Sequence, residues 1–369
     1  MSFIEIGVSK EINKGLQELG IINPTKIQMA AIPVLSVENI DFVGQAQTGT
    51  GKTAAFGLPI LAKVDPNKDH IQALVLAPTR ELGQQIAKQL FKFTKYSENV
   101  FTEAVYGGEK IDIQISRLKR PTQIVVATPG RLIDLLKRKA LDISKIHTLV
   151  LDEADEMLSM GFKDDLTKIL SKTKGERNVW LFSATIPKEL NEIIENYVSK
   201  DALRVSVDKN DSINTGISHH YVTGDDNNKL DTLASFLRSQ GKQRGIIFTK
   251  TKAAAKILAK QLLAKNHEVG LLEGDMLQKD REKAMRAFKN KSLRLLVSTD
   301  VAARGIDVDN LAFVVHYQLP DQTEYYTHRS GRTARAGNTG ISLVLVNPKE
   351  TRRIYELEKE LSIKFTKVK

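Results

Sequence analysis

Two α/β domains in tandem, each an open sheet of parallel strands, is the fold class that the 369 residues predict. Three observations carry it. Short apolar runs alternate with longer stretches of helical period from one end of the chain to the other. The runs are continuous rather than alternating, as strands covered on both faces are. A polar, turn-rich segment at 208–216 interrupts the alternation, which then resumes, and the chain exceeds what one hydrophobic core usually reaches.

In the first half the strand-like runs are 40–43, 73–76, 124–127, 148–151 and 179–182, and in the second 245–248, 269–272, 293–297, 313–317 and 341–346. Each leads into a loop and a helical stretch, the βαβ repetition of a parallel sheet. The expected division is a first domain at 1–207, a linker at 208–216 and a second domain at 217–369. Such sheets bind ligands beyond the carboxyl ends of their strands.

With 41% hydrophobic and 27% charged residues, the composition is that of an ordinary globular protein. The 55 basic residues outnumber the 44 acidic ones, for a net charge of +11. That excess points to a polyanionic partner, against the alternative of a merely solubilising surface. It is uneven, +2 over residues 1–200 and +9 over 201–369.

Zero cysteines exclude disulfides, a disulfide-linked partner, thiolate zinc sites and cysteine nucleophiles, and suit a reducing compartment. His219 and His220 are the only close pair of histidines, with no HExxH pattern around them, so no zinc site is expected. Residues 1–12 lack the basic and apolar regions of a signal peptide, and no apolar run approaches the roughly 18 residues of a membrane span. The expectation is a cytoplasmic monomer with no membrane contact.

After the run at 40–43 comes Ala46-Gln47-Thr48-Gly49-Thr50-Gly51-Lys52-Thr53, followed by helix-forming Ala54-Ala55-Phe56. Gly49 and Gly51 let successive backbone N–H groups face phosphate oxygens, and the helix N-terminus adds its positive dipole end. Lys52 is placed to reach β- and γ-phosphates and Thr53 to ligate Mg²⁺, which makes ATP and Mg²⁺ the expected cofactors. The strict pattern has Gly where this chain has Ala46.

The strand-like Thr148-Leu149-Val150-Leu151 delivers Asp152, Glu153 and Asp155 to a strand end. There an aspartate holds Mg²⁺ and a neighbouring glutamate polarises the attacking water. Phosphoryl transfer also needs cations on the γ-phosphate, and the second half offers Arg329, Arg332 and Arg335 at spacing three, on one side of a helix or extended turn. A solvated basic face is the alternative reading of that run. Asn228-Lys229-Leu230-Asp231 fits a guanine-recognition pattern, but it follows a polar segment and opens a helical period, so it reads as a loop and helix start.

Together these residues resemble the DEAD-box family of ATP-dependent RNA helicases, across essentially the whole chain. The resemblance extends to Pro24-Thr25-Lys26-Ile27-Gln28, with Phe3 as the isolated upstream aromatic, to Ser183-Ala184-Thr185 and to the run 298–307. It implies two RecA-like domains joined by a short linker. It implies that Gln28 hydrogen-bonds adenine, that Gly305 and Asp307 contact the nucleotide, that Arg332 and Arg335 touch the γ-phosphate, and that Glu153 is the general base. RNA contacts are implied for Pro78, Thr79, Arg80, Gly107, Gly108, Thr128, Pro129, Gly130 and Arg131. In the second domain they are implied for Thr249, Gly274, Asp275, Arg281 and Thr299. Ser183, Thr185 and Asp155 are implied to couple nucleotide state to unwinding.

Several positions depart from the family pattern: Ile21 for an aromatic, Glu273 for histidine, and Gly83, Ser330 and Ala334 for Ala, Ile and Gly. A carboxylate at 273 pointing toward RNA repels phosphate.

Thr and Gly at loop tips offer hydroxyls and backbone N–H groups to phosphates and sugars, a mode that carries little base information. Aromatics are only 6%, and Trp180 sits in an apolar run that reads as core. The expected partner is therefore RNA, single-stranded or as a short duplex, read by its backbone. The expected function is RNA-stimulated ATP hydrolysis coupled to domain closure and local unwinding. An ATP-gated RNA clamp and a DNA translocase are the alternatives.

Overall fold

The computed structural model describes residues 1–47, 49–173, 177–207, 216–225, 228–303, 311–334 and 339–368. The expected linker, apart from Gly216, lies outside them. The chain divides into two compact units, Met1–Asp208 and Lys209–Lys369.

The first unit is built on β1 (Phe42–Gln45), β2 (Ala73–Leu76), β3 (Thr102–Val105), β4 (Ile124–Ala127), β5 (Thr148–Asp152), β6 (Asn178–Ser183) and β7 (Leu203–Ser206). They form one sheet in the order β3-β4-β2-β5-β6-β1-β7, with every pairing parallel. Because side chains alternate along a strand, the sheet divides its apolar residues between two cores. Val75, Val150, Trp180 and Phe182 face one side, with Phe56 of helix Lys52–Lys63 and Ile86 of helix Arg80–Phe93. Leu74, Leu149, Leu151 and Leu181 face the other, with Leu132, Leu166 and Ile193 from later helices. Each such side chain contributes about 1.5–3 kcal/mol on burial. Trp180 is wholly buried and donates its indole N–H to Ile40 O at 3.0 Å, a core residue as its run suggested.

The second unit repeats the plan with β8 (Ile217–Thr223), β9 (Gly245–Thr249), β10 (Val269–Leu272), β11 (Leu295–Thr299), β12 (Phe313–His316), β13 (Gly340–Val346) and β14 (Phe365–Lys367). Its order is β10-β11-β9-β12-β13-β8-β14, again all parallel. Subtracting seven from each label reproduces the permutation of the first sheet. Ile247, Val297 and Val315 face one core and Ile246, Leu296 and Val314 the other.

Four strands escape the apolar-run reading. β3, β7 and β14 are half-exposed edge strands with polar residues, and β8 turns His219 and Tyr221 inward where a hydrophobic pattern was sought. The expected run at 293–297 is shifted two residues, to Leu295–Thr299. Asn228 to Asp231 forms the cap and first turn of helix Lys229–Ser239, as read. No helix among the described residues is long and apolar enough to cross a membrane.

Candidate nucleotide and nucleic-acid sites

The loop after β1 meets helix Lys52–Lys63 through Gly51, whose φ of 89° follows Gly49 at 86°. Left-handed backbone of this kind favours glycine. A Cβ on Gly51 would also stand 2.3 Å from Gln28 Nε2. Gln28 donates from that nitrogen to Gly51 O at 3.0 Å and accepts from Thr25 N at 2.9 Å, while Thr25 Oγ1 donates to Thr50 O at 2.8 Å. The start of helix Lys26–Val37 is thus fastened to the loop. Ala46 has no left-handed φ, packs into the core and donates its N–H to Ser183 O at 2.9 Å, so glycine is not required there. Thr48 lies outside the described residues. Phe3 is fully buried and Ile21 is half-buried against the same core.

Lys52 is 6% exposed and its Nζ has no hydrogen-bond partner among the described residues. A buried ammonium without an acceptor is costly unless an anion meets it. Asp152, the last residue of β5, is buried too. Desolvation pushes its carboxyl up to about 7, against the pull of the Lys52 charge. Its Oδ1 accepts the Glu153 N–H at 3.0 Å. Glu153 is held at φ 51°, ψ 51°, left-handed backbone that a non-glycine residue adopts at a cost of order 1–3 kcal/mol and that clusters at active sites.

Because β6 lies beside β5, Ser183 and Thr185 reach the same corner. Asp155 Oδ2 accepts from Thr185 N at 2.8 Å and Thr185 Oγ1 at 2.9 Å. Ser183 Oγ accepts from Asp155 N at 3.2 Å and donates to Thr185 O at 2.7 Å. The three residues expected to couple therefore form one closed network.

The RNA candidates of the first unit follow β2, β3 and β4, three neighbours in the sheet. Thr79 caps helix Arg80–Phe93 by accepting Leu82 N at 3.3 Å, behind buried Pro78. The Arg80 guanidinium lies 4.5 Å from the Tyr106 ring centre. Gly107 and Gly108 are exposed. Thr128 precedes Pro129, Gly130 and Arg131 at the start of helix Pro129–Lys137, and Arg131 donates to Glu109 O at 3.0 Å.

In the second unit Thr249 ends β9, the Glu273-Gly274-Asp275 segment follows β10 and Thr299 ends β11, the equivalent three strands. Thr249 and Thr299 are buried. Arg281 donates to Ala302 O at 2.8 Å, which draws helix Gln278–Lys289 to the segment after Thr299. Glu273 does not point outward. It is 2% exposed and ion-paired with Lys256 at 3.2 Å.

Arg329 and Arg332 do not share a helix face, which leaves the extended-turn form of the reading. Helix Thr323–Ser330 ends between the first two. Arg329 is 2% exposed and grips Asp300 through Nε at 2.5 Å and Nη2 at 2.7 Å, while Arg332 lies beyond the helix, half-buried. Arg335, Gly305 and Asp307 lie outside the described residues. The Arg329–Asp300 pair was not singled out from sequence, since nothing local links positions so far apart. Ser330, in place of an apolar residue, bonds Ser342 at 2.9 Å and His316 at 3.2 Å. Ala334 sits at φ 55°, where its usual glycine is unstrained. Gly83 leaves ordinary contact space for the usual alanine Cβ, 3.7 Å from Val126.

The family model described as DEAD/DEAH box helicase matches residues 25–193, and that of the helicase conserved C-terminal domain matches 228–337. The chain is 40% identical over 368 residues to the DEAD-box ATP-dependent RNA helicase CshA of Geobacillus kaustophilus, covering 100% of this chain and 78% of that protein. It is 41% identical to the ATP-dependent RNA helicase CshA of Limosilactobacillus reuteri, over 100% of this chain and 74% of that one. Its fold matches S. cerevisiae Dbp5 bound to RNA and ADP–BeF3 with a TM-score of 0.89 at 31% identity, covering 100% of this chain and 95% of the other. With both family models in chain order and two such relatives matched along the whole of this chain and about three quarters of their own length, the chain belongs to the DEAD-box family of ATP-dependent RNA helicases.

Proposed function

We propose that this chain is an RNA-stimulated ATPase that uses ATP to open short RNA duplexes or remodel RNA–protein complexes. The observation that carries the reading is the buried, unpartnered Lys52 ammonium at a helix start, in the same unit as the buried Asp152 carboxylate. That donor set fits a polyphosphate with its metal ion. Lys52 reaches the β- and γ-phosphates, the loop from Thr48 to Thr53 cradles them, and Gln28 reads adenine. Thr53 and Asp152 would hold Mg²⁺, which would supply positive charge beside the phosphates. Among the described residues no three His, Asp or Glu side chains form a metal cage, and Mg²⁺ held largely by phosphates and water needs none. Glu153 takes the proton of the attacking water.

Arg332 and Arg335 supply positive charge to the γ-phosphate, and Gly305 and Asp307 hold the nucleotide. The loops after β2, β3, β4, β9, β10 and β11 hold one RNA strand by its backbone. ATP and RNA together favour a closed arrangement of the two domains, 1–207 and 217–369, and the coupling between them is reciprocal. Ser183, Thr185 and Asp155 transmit the nucleotide state. The cysteine-free sequence supports a cytoplasmic, reducing setting.

Steady-state hydrolysis with single-stranded RNA, DNA of the same sequence and neither is the test. Stimulation by RNA well above that by DNA is expected, with log affinity falling linearly in log salt. Hydrolysis indifferent to RNA would sink the reading.

A further inference from the structure

We infer that Glu273 is a positioning residue for RNA. Its inward carboxylate sets the turn that presents Gly274 and Asp275, and two lysines of one helix cancel the turn's acids so that it can lie against phosphates. The inference rests on the proposed RNA reading of that turn.

Glu273 follows β10 directly and is 2% exposed, and a charge so buried persists only when paired. Both its oxygens are spent. Oε1 meets Lys256 Nζ at 3.2 Å, and Oε2 accepts the Asp275 N–H at 2.7 Å, closing a turn two residues long. Asp275 in turn meets Lys252 Nζ at 2.5 Å.

Lys252 and Lys256 lie four apart on helix Lys252–Ala264, so they share a face. Gly274 packs against that face: a Cβ there would stand 3.1 Å from Lys252 Cε. What remains outward is the backbone of Gly274 and Asp275, the 74% exposed Leu277, and the Asp275 side chain, 60% exposed but ion-paired with Lys252. An unpaired acid beside a phosphate repels it. Here the acid at 273 becomes the anchor, and the expected clash with RNA does not arise.

The test measures ATPase activity against RNA concentration, with thermal unfolding, for wild type, Glu273→Ala, Glu273→Gln, Lys256→Met and the Glu273→Gln/Lys256→Met double variant. Glu273→Ala is expected to raise the RNA concentration for half-stimulation about tenfold, equivalent to about 1.4 kcal/mol, with kcat at saturating RNA and KM for ATP near wild type. Glu273→Gln keeps the acceptor for Asp275 N–H and is milder. Lys256→Met strands a buried carboxylate and is worse than the double variant. Should Glu273→Ala fail to fold, Glu273→Gln and the double variant carry the comparison.

An unchanged RNA dependence in folded Glu273 variants overturns the inference while leaving the RNA-stimulated ATPase intact. So does a loss confined to kcat. A wild-type protein that RNA does not stimulate overturns both together.

Discussion

The two units share one strand permutation and differ in what stands at equivalent strand ends. β5 ends in Asp152, a carboxylate held up to about 7 by desolvation, with the Lys52 ammonium unpartnered in the same unit. β12, its counterpart, ends in His316, fully buried but stacked on Tyr326 with ring centres 4.6 Å apart. Its Nε2 lies 3.1 Å from Ser342 Oγ and 3.2 Å from Ser330 Oγ. His219 on β8 meets the Tyr326 hydroxyl at 2.5 Å. One backbone plan thus carries a buried ammonium and carboxyl in one copy and a histidine–tyrosine–serine network in the other, in which each histidine bonds through one ring nitrogen. Buried polar groups left without partners mark the site, and paired ones rigidify the scaffold.

The largest expected effect touches the charged copy alone. Glu153→Gln should lower steady-state hydrolysis about 10²- to 10⁴-fold, the usual worth of a general base, with ATP binding near normal. Wild-type turnover would remove Glu153 from that role.

A pair of substitutions sharpens the contrast. His316→Leu removes the imidazole from the network, leaving the Ser330 and Ser342 hydroxyls only each other and Tyr326, and should lower stability by about 1–3 kcal/mol. Lys52→Met should also lower hydrolysis yet leave nucleotide-free stability within about 0.5 kcal/mol, since relief of a buried ammonium without a hydrogen bond offsets the loss of its attraction to Asp152. The single tryptophan, Trp180, lies in the first unit, so its fluorescence follows that unit while circular dichroism follows both. Equal losses in the two variants would erase the distinction.

The networks also differ with pH. Burial lowers the His219 pKa from 6.5 to about 4, and burial with the nearby Arg329 charge lowers that of His316 well below 6.5. The unfolded chain therefore binds these protons before the folded one does. Their contribution to stability is intact above pH 6.5 and is lost as pH falls toward 4, by up to about 1.4 kcal/mol per pH unit for each histidine. Urea unfolding from pH 7.5 to 4.5 checks this, and a His219→Asn/His316→Asn variant should flatten the slope.

The smallest effect concerns backbone strain. Ala334→Gly should stabilise the second unit by about 1 kcal/mol by relieving φ 55°. A destabilised variant would show that the alanine methyl, buried at 1% exposure, outweighs the strain.

Much of the fold was legible because central strands, covered on both faces, are unbroken apolar runs, as in β2, β4 and β9. Of the four edge strands only the apolar β10 was; β3, β7 and β14 were not. Thr102–Val105 and Leu203–Ser206 are half-exposed, and their residues resemble loop. β8 was hidden by polar residues, among them His219, which faces inward to meet Tyr326 and Phe365.

The residues of the phosphate loop and the acidic strand end were readable from sequence alone. Each is a contiguous stretch, and a strand-to-helix turn must deliver its backbone amides and carboxylates to one place. Their pairing was decided by tertiary structure. Among the described residues Lys52 Nζ has no hydrogen-bond partner, Glu273 turns inward to Lys256, and Arg329 is spent on Asp300 rather than aligned with Arg332. Those outcomes depend on which strands are neighbours and which faces are dry. Residues 29 apart, such as Asp300 and Arg329, acquire their relation only when the sheet forms.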